Sequence, residues 1–329
     1  MKKKKFYLGM VMLLAVSMFL AACGGDDTSE GDSEGESNDY PDILTIVTGG
    51  TGGTYYPLGG TFSTLIQDET GIKTSPITSN ASAENMAILD KEEADIAFVQ
   101  TDIVSYAVEG SNMFDEPLET IRGLATLYPE TIQIVTTADS GIKSVEDLAG
   151  KRVSVGESGS GTALNAEQIL EIHGITSDDF DERLLDFEDS TTGIQDGSID
   201  AAFITAGTPT GAVEGLSALV DVVIVPVEAD KAEELIAAYP FYSVEEVPEG
   251  SYGIDSAVPT VAVQAMLAVS SELSDDVVYD MTKAIFEGGD KITHPKGEFI
   301  TADTALQGIG IEVHPGAQRY FDEKGVEAQ

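Results

Sequence analysis

Apolar residues along this chain come in short runs, each closed by glycines or by a cluster of Asp, Ser and Thr. Ile43-Leu44-Thr45-Ile46-Val47-Thr48 predicts a strand that empties into Gly49-Gly50-Thr51-Gly52-Gly53-Thr54. After Tyr55-Tyr56-Pro57-Leu58, the apolar positions Phe62, Leu65 and Ile66 recur at helical spacing. A further helix is predicted from Ser82 to Asp90, followed by the continuous apolar strand Ala94-Asp95-Ile96-Ala97-Phe98-Val99-Gln100.

The same order returns later. Arg152-Val153-Ser154-Val155 is a strand and Gly156-Glu157-Ser158-Gly159-Ser160-Gly161-Thr162 its loop. Ala163 to His173 has helical spacing, with Gly174 as its stop. Ile199-Asp200-Ala201-Ala202-Phe203-Ile204-Thr205 repeats the second strand, residue type for residue type. Thr51 to Asp95 and Ser158 to Asp200 are nearly equal spans. Two α/β lobes of similar design are expected, each a mainly parallel sheet flanked by helices.

A glycine-rich turn between strand and helix lets backbone approach a ligand, and the first helical turn presents N–H groups without intrahelical partners. Together with the helix dipole this makes an anion site. Hydroxyls crowd both loops, at Thr51, Thr54, Ser158, Ser160 and Thr162. In open α/β sheets ligands sit beyond the carboxyl ends of the strands, where these loops lie. One such loop per lobe, facing across a cleft, would grip a small carboxylate as the lobes close by a hinge.

The chain ends add a compartment. Lys2 to Lys5 precede an apolar run from Phe6 to Leu20, which breaks into Leu20-Ala21-Ala22-Cys23, the order of a secretory signal over residues 1–22. The run is shorter than the roughly 20 apolar residues a membrane-spanning helix needs. Leu-Ala-Ala-Cys resembles the lipobox of bacterial lipoproteins, which implies that Cys23, the only cysteine, carries the lipid anchor. From Gly24 to Asp42 the chain is mostly Gly, Ser, Asp and Glu, so residues 23–42 are expected to form a disordered acidic tether. Roughly 285 residues remain, more than one small core usually organises. A formal net charge of −41 excludes nucleic acid as a natural partner, since phosphate binding needs clustered Lys and Arg.

Thr48 to Gly59 resembles the signature of the TAXI-family receptors of TRAP transporters. Further marks follow in that family's order: Ser82-Ala83-Glu84-Asn85, Ala94 to Asp102, Leu148 to Gly156, Gly159 to Thr162, Pro259 to Val263, and His314-Pro315-Gly316-Ala317. The resemblance covers about Ile43 to Gly325. It implies a two-lobed type II periplasmic-binding-protein fold joined by hinge strands that include Thr131 to Thr136 and Val261 to Val269. Lobe I would then be residues 43–129 plus 261–329, and lobe II residues 130–260. It also implies an extracytoplasmic receptor, at the cell surface or in the periplasm, that hands a small anionic solute to TRAP permease subunits in the membrane. Glutamate, glutamine, 2-oxoglutarate and related carboxylates are the solutes it suggests. Carried onto this sequence, the ligand contacts would be Thr51, Gly53, Thr54, Tyr55, Asn80, Ser82 and Gln100 from lobe I. Ser158, Ser160, Gly161, Thr162, Thr205 and Gly207 would act from lobe II. Where relatives commonly read Gly-Gly-Ser or Ala-Gly-Ser this chain has Asn80-Ala81-Ser82, and Gln-Thr-Asp stands for Gln-Ser-Asp.

No arginine falls in either loop. Beyond the signal the arginines are Arg122, Arg152, Arg183 and Arg319, so a carboxylate is expected to be held by backbone N–H groups and hydroxyls, without a bidentate clamp. His173 reads as a helix-end residue, and His294 and His314, each before a proline, as loop or helix-entry residues. Asp95 and Asp200 read as turn or cap residues. Tyr55 is expected to wall the cleft, Tyr56 to pack beneath the loop. Nothing pairs histidines with carboxylates at metal-ligand spacing, and Gly156-Glu157-Ser158-Gly159-Ser160 misses the nucleophile elbow at its fifth position. Gly159 to Leu164 lacks the third glycine of a dinucleotide fingerprint. Accordingly no enzyme activity, metal or cofactor is expected, and the protein is expected to act as a monomer. The alternative is an ABC-type receptor for sulfonates or thiamine-precursor-like solutes, which share the fold.

Overall fold

The computed structural model describes residues 40–327. The signal, Cys23 and the acidic segment as far as Asp39 lie outside the described residues. Tyr40, at the end of the segment read as a tether, packs against the core and donates its hydroxyl hydrogen to Asp280. An aromatic ring beside exposed apolar surface gains by covering it.

The chain runs β1 (Ile43–Val47), α1 (Tyr55–Thr70), β2 (Lys73–Ile77), α2 (Ser82–Asp90), β3 (Ile96–Gln100) and α3 (Thr101–Glu109). The long strand β4 (Ile121–Thr137) carries it into the second lobe. There follow β5 (Arg152–Ser154), α4 (Gly161–Ile172), β6 (Asp181–Arg183), α5 (Phe187–Asp196), β7 (Ala201–Ala206) and α6 (Gly211–Ser217). After β8 (Val222–Val225), α7 (Ala229–Ala238) and β9 (Ser243–Val247), the long strand β10 (Val258–Ser270) returns to the first lobe, which α8 (Asp275–Glu287) and α9 (Pro315–Lys324) complete.

All strands of the described residues join one sheet, in the order β2-β1-β3-β10-β4-β7-β5-β6, with β8 on β4 and β9 on β10. β1 runs parallel to β2 and β3, and β5 parallel to β6 and β7. The two long strands pair antiparallel from Ile121↔Ser270 to Thr131↔Ala262. One half of each belongs to each lobe: β10 pairs β3 beyond Ala265 and β9 before it, while β4 pairs β7 from Thr131 onward. These are the expected hinge strands, and the fold is the expected two-lobed α/β one. The apolar core divides at the same place. Residues up to Tyr128 and from Ala265 form one cluster, while residues between Ile132 and Val263 form two others. Leu164 of α4 is the exception, since it packs with the first cluster.

The repeat read from the sequence is a repeat of hydrogen bonds. Asp95 accepts the Thr45 N–H at 2.7 Å, and Asp200 accepts the Arg152 N–H at 2.8 Å. Reciprocally, the Asp95 N–H reaches Thr45 O at 3.1 Å and the Asp200 N–H reaches Arg152 O at 2.8 Å. Each aspartate thus ties the start of its parallel strand to the neighbouring one. The histidines sit at helix ends: the His173 Nδ1 lies 2.7 Å from Ile169 O, and His294 and His314 accept backbone N–H groups as N-caps before their prolines. α1 lies close on the sheet because Gly59 has no side chain; a Cβ there would come within 2.6 Å of the Thr48 methyl.

Candidate functional site

The two glycine loops meet between the lobes. They enclose a small cavity of about 40 Å³, lined from lobe I by Gly53, Thr54, Tyr55, Ser82 and Gln100. From lobe II it is lined by Ser160, Gly161, Thr162 and Thr205. The first turns of α1 and α4 therefore open onto the same space from opposite sides. α1 has no side-chain cap at Thr54, and at α4 the Ser160 hydroxyl accepts only the Ala163 N–H, at 3.1 Å. The leading amides of both helices stay available to an anion.

Backbone bonds hold the lobes together around this cavity. The Ala212 N–H donates to Gly52 O at 3.0 Å, and Ala83 and Glu84 donate to Gly159 O at 3.0 and 3.3 Å. The last two matter because α2 has no cap of its own: its N-cap is Ala81, at a φ of 67° and without a side-chain acceptor. Lobe II supplies the missing cap from across the cleft. Gln100 packs so tightly on Gly161 that a Cβ there would lie 1.5 Å from Gln100 Oε1. A side chain of any size at position 161 is incompatible with this arrangement.

Four expected contacts fall elsewhere. Thr51 is exposed and donates to Glu188 at 2.8 Å, a bond between lobes. Gly207 pairs with the Thr54 hydroxyl, its N–H donating at 3.1 Å. Asn80 and Ser158 face an adjoining groove of about 1010 Å³, which shares Ser160 with the cavity. Ser158 is turned outward because the chain reverses at Gly159, whose φ is 81°. Tyr55 lines the cavity with its ring stacked on Phe98, centroids 4.9 Å apart, while Tyr56 is half-buried. Arg152, far from forming a clamp, is occupied by Asp200 at 2.6 Å. Among the described residues no arginine reaches the cavity wall, and no group of His, Cys, Asp and Glu could hold a metal ion.

Glu130, Glu157 and Phe187 also line the cavity, and sequence reasoning missed all three. Glu130 is buried on β4, where it accepts the Tyr55 hydroxyl at 3.1 Å. Burial pushes its acid up to about 8, against the pull of the Tyr55 and Gln100 donors. Burial and the neighbouring acids Asp186, Glu84 and Asp189 push Glu157 up to about 7. Behind the cavity lies a buried polar chain. Gln100 Nε2 donates to Asn165 Oδ1 at 3.0 Å, and Asn165 Nδ2 donates to Asp102 at 3.1 Å and to the Tyr242 hydroxyl at 2.9 Å. No spacing in the sequence could signal it, since its members lie on β3, α3, α4 and the entry to β9.

A mixed sheet with flanking helices, two long strands shared by two lobes and a cavity between them define the periplasmic-binding-protein fold. The chain belongs to the NMT1-like family, whose profile matches residues 46–325. Among solved structures, a protein from Bordetella bronchiseptica RB50 superposes with a TM-score of 0.54 at 16% identity, covering 88% of this chain and 83% of that one. PhnD1 from Prochlorococcus marinus (MIT 9301), in complex with methylphosphonate, superposes with a TM-score of 0.52 at 9% identity, covering 88% and 92%. These likenesses concern the fold. Among the described residues no helix is long and apolar enough to cross a membrane.

Proposed function

We infer that this chain is an extracytoplasmic receptor, anchored through Cys23, that captures a small anionic solute and delivers it to a TRAP-type secondary transporter. It neither hydrolyses ATP nor performs catalysis. The observation that carries this reading is the convergence of two helix N-termini, one from each lobe, on a single interlobe cavity. Unpaired N–H groups and two converging helix dipoles suit a carboxylate without any arginine. The ordered TAXI-like motifs support a TRAP permease as the partner.

Thermal-shift screening of the mature domain against α-amino acids, dicarboxylates, 2-oxo acids, sulfonates and sugars tests this. A solute at 100 times its Kd stabilises the native state by about 2.7 kcal/mol. A shift with one of the carboxylates is expected; a shift confined to sugars would remove the anion reading. The second reading is an ABC-type receptor for sulfonates or thiamine-precursor-like solutes; a protein of the same fold holds methylphosphonate, which is also a small anion. A neighbouring gene for a many-helix TRAP permease supports the first reading, one for an ATPase the second.

A further inference from the structure

We propose that Asp102, acting through Asn165, fixes the Gln100 amide with its oxygen at the cleft, so that Gln100 and Glu130 form an accepting pole that takes an N–H donor of the solute, the α-ammonium group of an amino acid. The proposal rests on the anion reading above and narrows it to solutes carrying both signs of charge.

Asp102 is buried at the start of α3 and accepts the Ile103 N–H at 2.8 Å. A carboxylate accepts hydrogen bonds and donates none. Burial pushes Asp102 up to about 6, which still leaves it ionised at neutral pH. The Asn165 amide must therefore turn its nitrogen toward Asp102, and does so at 3.1 Å. That leaves Asn165 Oδ1 facing Gln100, which only a donor can satisfy, and Gln100 Nε2 meets it at 3.0 Å. The Gln100 oxygen is thus forced the other way. It lies at the cavity wall over Gly161, buried and without a partner. An unpaired buried acceptor is costly, and a ligand donor relieves that cost.

Glu130 completes the pole. Its carboxyl lines the same cavity, and no described lysine, arginine or histidine pairs with it within 4.0 Å. Lys296, buried nearby, places its ammonium over the Phe299 ring at 4.9 Å instead. Free N–H groups, an orphan oxygen and an acid without a cationic partner in one cavity match a molecule that carries both an anionic and a cationic group. A solute that is anionic throughout leaves the buried Gln100 oxygen unpaired.

The test compares matched pairs of α-amino acid and 2-oxo acid with the same carbon skeleton, such as glutamate with 2-oxoglutarate and alanine with pyruvate. Affinities are measured by calorimetry on the mature chain at pH 7.5. The amine-bearing member of the best pair is expected to bind at least tenfold tighter. In Asp102→Asn the terminal amide can either donate or accept, so the Gln100 amide is free to flip, and the preference is expected to shrink severalfold. Its readout is the ratio within the pair, which a loss of general stability leaves unchanged. Asn165→Ala, which cuts the same link without touching a charge, serves if Asp102→Asn does not fold. Equal or tighter binding of the 2-oxo members, or of sulfonates, would overturn the proposal and leave the anion reading standing. An undiminished ratio in both variants would overturn the positioning role of Asp102 and Asn165. Binding of sugars alone would remove the anion reading and this proposal with it.

Discussion

The Thr54 hydroxyl accepts the Gly207 N–H at 3.1 Å, so the residue at the N-cap of α1 bonds to the opposite lobe and not to its own helix. An N-cap threonine ordinarily spends its oxygen on the second or third amide of its helix. Here that oxygen bridges the cleft, and the leading amides of α1 remain free for an anion.

Replacing Thr54 with valine keeps the shape and removes the bridge. A single hydrogen bond is worth about 1 kcal/mol net, so solute affinity is expected to fall roughly five- to tenfold. The melting temperature of the solute-free protein is expected to change little, because this bond joins lobes and not core. Calorimetric titration beside thermal melts of the same preparation separates the two effects.

Gly161→Ala puts a methyl where Gln100 already lies, 1.5 Å from Oε1 and 2.3 Å from Cδ. Gln100 is walled in by Asn165 and cannot retreat cheaply. The closed arrangement is therefore blocked, and affinity is expected to drop by more than tenfold while the separate lobes stay folded. Small-angle scattering with saturating solute should show a contraction in the wild type and none in the variant. Contraction in both would mean that Gln100 moves aside.

Much of the layout was legible because local chemistry determines it. Ser82 to Asp90 is a helix with the boundaries read from its pattern, and the glycine loops lie where strand and helix require them. Asp95 and Asp200 do the same task in both lobes because the strands they begin are the same device. What escaped is what only the assembled lobes bring together. Glu130 sits in Tyr128-Pro129-Glu130-Thr131, a stretch that reads as hinge strand, and nothing in it says that the carboxyl will face a cavity. Asn165 looks like an ordinary helical polar residue until Asp102 and Gln100 arrive from the other lobe. Ser158 faces the outer groove because of a turn at Gly159 whose direction composition alone does not set.

Arg152 provides a contrast between binding and folding. Its guanidinium meets Asp200 through two bonds, Nε at 2.9 Å and Nη2 at 2.6 Å, away from the cavity wall. Arg152→Ala is expected to leave affinity for any carboxylate solute within twofold while lowering the melting temperature slightly, as a partly exposed pair should. Asp200→Ala also removes the acceptor of the Arg152 N–H, so it is expected to destabilise more. Loss of binding in Arg152→Ala with an unchanged melting temperature would reverse this assignment.

Glu130 should make stability depend on pH in a defined direction. Its acid titrates near 4.5 when unperturbed and is held up to about 8 in the folded protein. Between those values the folded state keeps a proton that the unfolded chain has lost, so stability falls as pH rises through the window. The groups facing it are Tyr55 from α1, Gln100 at the end of β3, Asp102 on α3, Tyr128 on β4 and the buried Lys296. The tyrosines are pushed well above their ordinary value by burial and stay neutral throughout. Asp102, raised to about 6, adds a slope of the same sign that is common to wild type and variant. Glutamine at position 130 carries no charge to desolvate. Glu130→Gln is therefore expected to be close to wild type in stability at pH 5 and more stable at pH 9, by on the order of a few kcal/mol. Urea unfolding of both proteins at the two pH values measures the gap. A gap that stays constant would mean that Glu130 is ionised in the folded protein at both pH values.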